Sequence, residues 1–268
     1  MKRSKLLILT TIAIVLACNQ DEEFLIDPES TFEKFIPSEV EVYNSSGSLV
    51  GFITPNYDQH GLITSVDYDY ECNGCQTLTH YFNYDDLDRV ISECIVNTSC
   101  DMSIKYDDDG KVNSITKNGD NIKMEFHYKN GLPNRIDYYE MRDATMKLVR
   151  FHLLEYDNNG NLLKNEIFSN EPEIKWLSTT TYLYDDHPNL FSSLDTQYTF
   201  FIIPHLSKNN IIEQKYETFV RGEVYRSVKY DYEYNEWGYP VSINITATQN
   251  GASIKDETLI VMYKPVKP

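Results

Sequence analysis

A chain of 268 residues with 41% hydrophobic side chains has the material for one sizeable core, within the ordinary range of globular proteins. Its formal net charge of -17 excludes nucleic acid as an expected partner, because such a surface repels a phosphate backbone. The aromatic share is weighted to 21 Tyr against 12 Phe and 2 Trp, a population that favours pleated, half-exposed surfaces and so points to β-structure.

Residues 1–17 read as a signal peptide. Lys2, Arg3 and Lys5 precede an uncharged stretch, Leu6 to Ala17, which is too short to span a bilayer and has the length of a signal-peptide apolar region. It ends in Val15-Leu16-Ala17-Cys18, which looks like a bacterial lipobox, with Leu16 a less usual residue before the small one. That resemblance implies cleavage before Cys18 and acylation of its thiol by palmitate-type chains, so the expected partner at this end is a membrane reached through a lipid anchor. Residues 18–37 are then a flexible tether, and the acidic run Asp21-Glu22-Glu23 resembles the surface-export signals of Bacteroidetes lipoproteins. The expected location is the outer membrane with the protein facing outward; the periplasmic face is the alternative.

Residues 38–268 read as a single β-domain. Pro37 to Tyr43 is the first strand, followed by a turn at Asn44 to Gly47 and a returning strand at Leu49 to Thr54. Tyr57-Asp58-Gln59-His60-Gly61 repeats the turn with Asp, and Val66, Tyr68, Tyr70 and Cys72 then alternate against Asp67, Asp69 and Glu71. That period of two marks a sheet with one wet face. Asn73-Gly74 is a strong hairpin signal, Tyr84-Asp85-Asp86-Leu87-Asp88 is a copy without its Gly, and Tyr106-Asp107-Asp108-Asp109-Gly110 is the cleanest copy. In this unit the Asp side chain closes an Asx turn on its own backbone and the Gly supplies positive φ. Ile122, Met124, Phe126 and Tyr128 alternate without error before the Asn130-Gly131 turn, and Tyr156 to Gly160 is the last full copy.

Tyrosines 57, 84, 106, 128, 156 and 184 recur at about the spacing of two strands plus two turns, the signature of an antiparallel meander of hairpins. The pattern fails from Asp185 to Asn210, where Asn189 to Tyr198 reads as a short helix and Phe200 to Ile203 as an apolar plug for one end of the sheet. It resumes with Val228, Tyr230, Tyr232 and Tyr234 before the Trp237-Gly238 turn. About sixteen strands are expected, more than an open twisted sheet usually carries, so the sheet should coil strongly or close toward a barrel.

The Tyr-Asp-x-x-Gly units resemble the YD or RHS-type repeats of bacterial surface proteins. With the lipobox, Asp185 to Phe191 and Leu206 to Asn210, the chain resembles a group of Bacteroidetes lipoproteins of unknown function described as having a porin-like fold. The resemblance covers about residues 38–264 and brings no catalytic residues with it. "Porin-like" can describe shape only, because charged residues alternate along these strands where a lipid-facing wall needs an apolar band.

Candidate chemistry is sparse. Four cysteines, Cys72, Cys75, Cys94 and Cys100, fall on turns at the same end of a meander. An even count in an exported chain favours two disulfides. Pairing 72 with 75 and 94 with 100 would close two hairpin tips, though three connectivities exist; a four-thiolate zinc site is the alternative. The acidic turns Asp85 to Asp88 and Asp107 to Asp109 lack the ligand spacing of a calcium loop, so turn chemistry accounts for them. The scattered histidines form no metal motif, and no catalytic residue, cofactor site or metal site is assigned. Exposed tyrosines on a sheet can stack on sugar rings or peptides, which makes a cell-surface binding module for a glycan or envelope protein the expected function. A structural envelope role, and a glycan hydrolase using paired carboxylates, are the alternatives.

Overall fold

The computed structural model describes residues 35–70, 77–95, 100–117, 119, 121–170, 173–189, 207–218 and 224–265. They form sixteen strands: β1 (Phe35–Asn44), β2 (Leu49–Tyr57), β3 (Ile63–Tyr70), β4 (Leu78–Tyr84), β5 (Val90–Ile95), β6 (Cys100–Tyr106), β7 (Val112–Lys117), β8 (Ile122–Lys129), β9 (Leu132–Arg142), β10 (Thr145–Tyr156), β11 (Leu162–Ser169), β12 (Lys175–Pro188), β13 (Asn209–Thr218), β14 (Val224–Tyr234), β15 (Pro240–Gln249) and β16 (Ala252–Pro265). Each strand bonds to its sequence neighbours, and β1 bonds to β16, so the meander closes into a barrel. Closure leaves no unpaired sheet edge, which is the hazard of so long a meander. Apart from Asn189, the expected helix from 189 to 198 lies outside the described residues, as does the plug at 200–203; among the described residues there is no helix.

The repeat unit has a fixed geometry. Asp107 Oδ1 accepts the backbone amides of Asp109 (3.0 Å) and Lys111 (2.8 Å), while its own N–H donates to the Lys111 carbonyl at 2.8 Å. Gly110 sits at φ 79°, the left-handed region that L side chains avoid. Asp58, Asp85 and Asp157 accept the same pair of amides two and four residues on, as do Asn44 and Asn235. In the copy without Gly, Asp88 takes the left-handed position at φ 58°, which Asp tolerates better than most residues.

Each such turn also carries a bulge that sets the aromatic residue opposite the sixth residue after it: Tyr57 with Ile63, Tyr84 with Val90, Tyr106 with Val112, Tyr156 with Leu162. A bulge inserts one residue and re-aims the strand, so the residue six after the Tyr lands on the enclosed face. Ile63, Val90, Val112 and Leu162 are at most 4% exposed. With Phe82, Ile104, Ile115, Phe126, Ile136 and Leu154 they form the main core along one face of β3 to β13. Val40, Ile243 and Val261 form a second cluster beside the closing strands.

Ile36–Lys264 is one compact unit. Within this unit the hairpin turns alternate ends. The Asp turns after β2, β4, β6 and β10 share one end, and β1 begins and β16 finishes at that same end.

Candidate functional site

The repeat tyrosines are spent on the wall itself. Tyr84 O–H donates to the Ile63 carbonyl (2.7 Å), Tyr106 to Val90 (2.8 Å), Tyr128 to Val112 (2.9 Å) and Tyr184 to Leu162 (2.6 Å). Tyr57, Tyr232 and Tyr263 do the same to Pro37, Ile211 and Pro240. Every acceptor lies at or near the start of the strand just before the tyrosine's own, so the ladder ties each Asp-turn hairpin to the one before it. Burial raises the phenols of Tyr57, Tyr184, Tyr232 and Tyr263 above the ordinary tyrosine range, Tyr184 to about 12. A ligand platform made of the repeat tyrosines is therefore not what this fold builds; among the described residues the tyrosines that stay exposed are Tyr70 (44%) and Tyr81 (48%).

Where the repeat fails, a polar knot takes its place. Asn161 Oδ1 accepts the amides of Lys208 and Asn209, both at 3.0 Å, and Leu162 N–H donates to Ser207 Oγ at 3.0 Å. Asp185 Oδ1 accepts the amides of His187 (3.0 Å) and Asn210 (3.2 Å), and Asp185 also accepts the Tyr234 hydroxyl. The His187 ring stacks on Tyr234 with centroids 3.8 Å apart. Residues far apart in sequence thus rebuild the Asx-turn pattern, with Asn210 filling the place that the fourth residue after the Asp fills elsewhere. A shallow groove of about 470 Å³ beside the knot is lined by Asp157, Asn161, Leu163, Leu183, Asp185 and Asp186. Asp157 and Asp185 already spend their oxygens on the knot and its turns.

The enclosed face is not uniformly apolar. On the half nearest the Asp turns it is aliphatic and aromatic. Toward the other end it carries two polar islands. In the first, His80 and Glu93, 3% and 5% exposed, bond to each other from β4 and β5, with Tyr68 edge-on to the imidazole at 5.3 Å. In the second, on β9 to β12, Arg150 lies 3.8 Å over the Tyr138 ring, and His152 Nδ1 is 3.1 Å from Asn165 Oδ1. Ser178, Asn165 and Thr180 are each at most 5% exposed. Burial lowers the His152 pKa to about 4, with Arg150 adding to the effect. Buried polar groups persist only when partnered or used, so these islands are the places where the wall departs from simple packing. None of these residues belongs to a sequence motif; what sequence alone shows of them is a polar residue at an inward position of an alternating strand.

The outer face is charged. Ion pairs run along single strands between residues two apart: Lys123–Glu125 (2.5 Å), Arg135–Asp137 (2.6 Å), Lys164–Glu166 (3.1 Å) and Lys215–Glu213 (2.7 Å). In a lipid-facing wall each Arg or Lys near the midplane would cost about 2–4 kcal/mol. The wall is the inverse of a membrane barrel, with its apolar face inside.

Cys94 and Cys100 form a disulfide across the β5–β6 hairpin. Cys72 and Cys75 lie outside the described residues. A four-thiolate zinc site would need Cys94 and Cys100 as thiolates, and the bond between them removes that chemistry. The acidic turns expected to be turn chemistry have that geometry: Asp85 is held below the usual carboxylate range by Arg89 and by backbone amides. Among the described residues no cluster of metal-ligating side chains occurs.

No protein-family model matches the chain, and a comparison with curated proteins finds none similar to it. Among solved structures, a porin-like protein from Bacteroides uniformis is 15% identical, covers 85% of this chain and 98% of its own, and superposes with a TM-score of 0.53. A porin-like protein from Bacteroides vulgatus is 14% identical, covers 87% and 100%, and gives the same TM-score, 0.53. At that identity the likeness is one of fold: the chain has the closed meander barrel of these porin-like proteins.

Proposed function

We propose that the protein is an outer-membrane lipoprotein, anchored through Cys18 and facing outward, whose barrel is a binding module for a glycan or protein ligand. The observation that carries this reading is the inverted wall. A charged outer face and an apolar, tyrosine-laced inner face suit a barrel standing in water, so membrane attachment falls to the anchor.

In this reading the tether from Cys18 joins the barrel through β1, which begins at the end where the Asp turns lie, and the end nearer the polar islands is left for the ligand. Two measurements test the proposal. Metabolic labelling with a clickable palmitate analogue should mark the wild-type chain and not Cys18→Ser, and unlabelled wild type would remove the anchor. A glycan and polysaccharide array should give saturable binding; a blank array together with an empty pull-down from the envelope would leave a structural role in its place.

A further inference from the structure

Arg150 differs from the paired arginines of the wall by what it lacks. In this acidic chain Arg89 holds Asp85 at 2.6 Å, Arg135 holds Asp137 at 2.6 Å and Arg142 holds Glu140 at 3.0 Å. Arg150 has no carboxylate partner among the described residues, and its Nε is buried without a hydrogen-bond partner. Glu140, two residues along the same face of β9 from Tyr138, is already taken by Arg142. The guanidinium instead lies over the Tyr138 ring, an arrangement that holds it in place while leaving its N–H edge unspent. Unpaired buried N–H groups on a cation are costly; Nε is such a group, whereas Arg150 as a whole is only half-buried, with surface left for a solute.

The neighbours specify what that solute should carry. His152 lies two residues on along β10, on the same face, about 7 Å away by strand geometry. Its Nδ1 faces Asn165 Oδ1 at 3.1 Å, an amide oxygen, which can only accept. With Asn165 Oδ1 as its partner, the neutral imidazole carries its proton on Nδ1 and presents Nε2 as an acceptor. A forked donor for an anion therefore sits one step from an acceptor for a hydroxyl.

We infer that the inner wall of β9 to β12 is a binding site for a hydroxylated carboxylate, the chemistry of a uronic acid residue, with Arg150 holding the carboxylate and His152 Nε2 accepting a sugar hydroxyl. This rests on the reading of the barrel as a binding module and names its ligand class. A guanidinium edge matches a carboxylate two bonds at a time, and the preference over a neutral sugar comes from the charge that Arg150 otherwise leaves uncompensated.

The test is calorimetric titration of the full chain with oligogalacturonate, with galactose oligomers of the same length as the neutral probe. Oligogalacturonate should bind and the neutral oligomer should not. Arg150→Gln should weaken binding about tenfold or more, and Arg150→Lys, which keeps the charge without the fork, should fall between. His152→Phe should weaken binding while sparing the preference for the anion. Far-UV circular dichroism and thermal unfolding identify any variant that fails to fold, in which case Arg150→Lys and His152→Phe carry the decision. Equal binding of both oligomers, or undiminished binding by folded Arg150→Gln, overturns the site and leaves the binding module standing. Binding of a neutral glycan alone does the same. Absence of binding by either probe overturns the site, and the envelope pull-down then decides the module separately.

Discussion

Tyr184→Phe should be the most destabilising of the tyrosine-to-phenylalanine changes in the ladder. Tyr184 O–H donates to the Leu162 carbonyl at 2.6 Å, Leu162 N–H donates to Ser207 Oγ at 3.0 Å, and the Ser207 hydroxyl closes the ring on the Tyr184 oxygen at 2.7 Å. Leu162 and Ser207 are 0% and 2% exposed, so water cannot replace a lost partner. Removing the phenol oxygen orphans a carbonyl and a hydroxyl together, at about 1–3 kcal/mol for each. The expected cost is about 2–5 kcal/mol. Tyr232→Phe, which breaks a single bond to the Ile211 carbonyl, should cost about 1–3 kcal/mol. Urea and thermal unfolding measure both, with about 2–4 °C in Tm per kcal/mol for a domain of this size. Because the three groups form one ring, Tyr184→Phe and Ser207→Ala should be strongly non-additive. Additive effects, or a Tyr184→Phe cost no larger than that of Tyr232→Phe, would refute the reasoning.

Three further outcomes are expected. Gly110→Ala forces a side chain to φ 79°, and although the nearest atom to its Cβ would be Arg89 Nη1 at 3.6 Å, the backbone strain should cost about 1–2 kcal/mol; Asp88→Gly, at φ 58°, should lose less in backbone terms, and chemical denaturation ranks the pair. Replacing Cys94 and Cys100 by Ala opens a loop of sequence separation 6 and should lower stability by about 2 kcal/mol, with non-reducing mass spectrometry of the wild type confirming the bond. His152 has a folded pKa of about 4, lowered from 6.5 by burial. The unfolded chain therefore binds more protons between those values, and stability is full above pH 6.5 and lost as pH falls toward 4. His152→Phe should flatten the slope of stability against pH in that window, and an unchanged slope would place the titration elsewhere.

The all-β meander, its hairpin turns and the number of strands were legible in the sequence because they rest on local rules. A period of two in side-chain polarity, an Asp that binds amides two and four residues ahead, and a Gly at positive φ act within a single hairpin, as Tyr106 to Val112 does. The Cys94–Cys100 pair is local in the same sense, lying across one turn. Closure was a weaker inference, drawn from strand number alone, since nothing in β1 or β16 by itself announces its partner. The tyrosine ladder was not legible. The same alternation places a Tyr on one face whether its hydroxyl meets solvent, a ligand or the carbonyl of an earlier strand, and that choice depends on the register the bulges set. The knot joining Asn161, Asp185, Ser207 and Asn210 spans segments that only the tertiary structure brings together, and the same holds for Arg150, whose missing carboxylate becomes visible once every neighbour on the inner wall is in place. Local backbone chemistry wrote the elements into the sequence, whereas the pairing of charges and hydroxyls between distant strands was decided by closing the barrel.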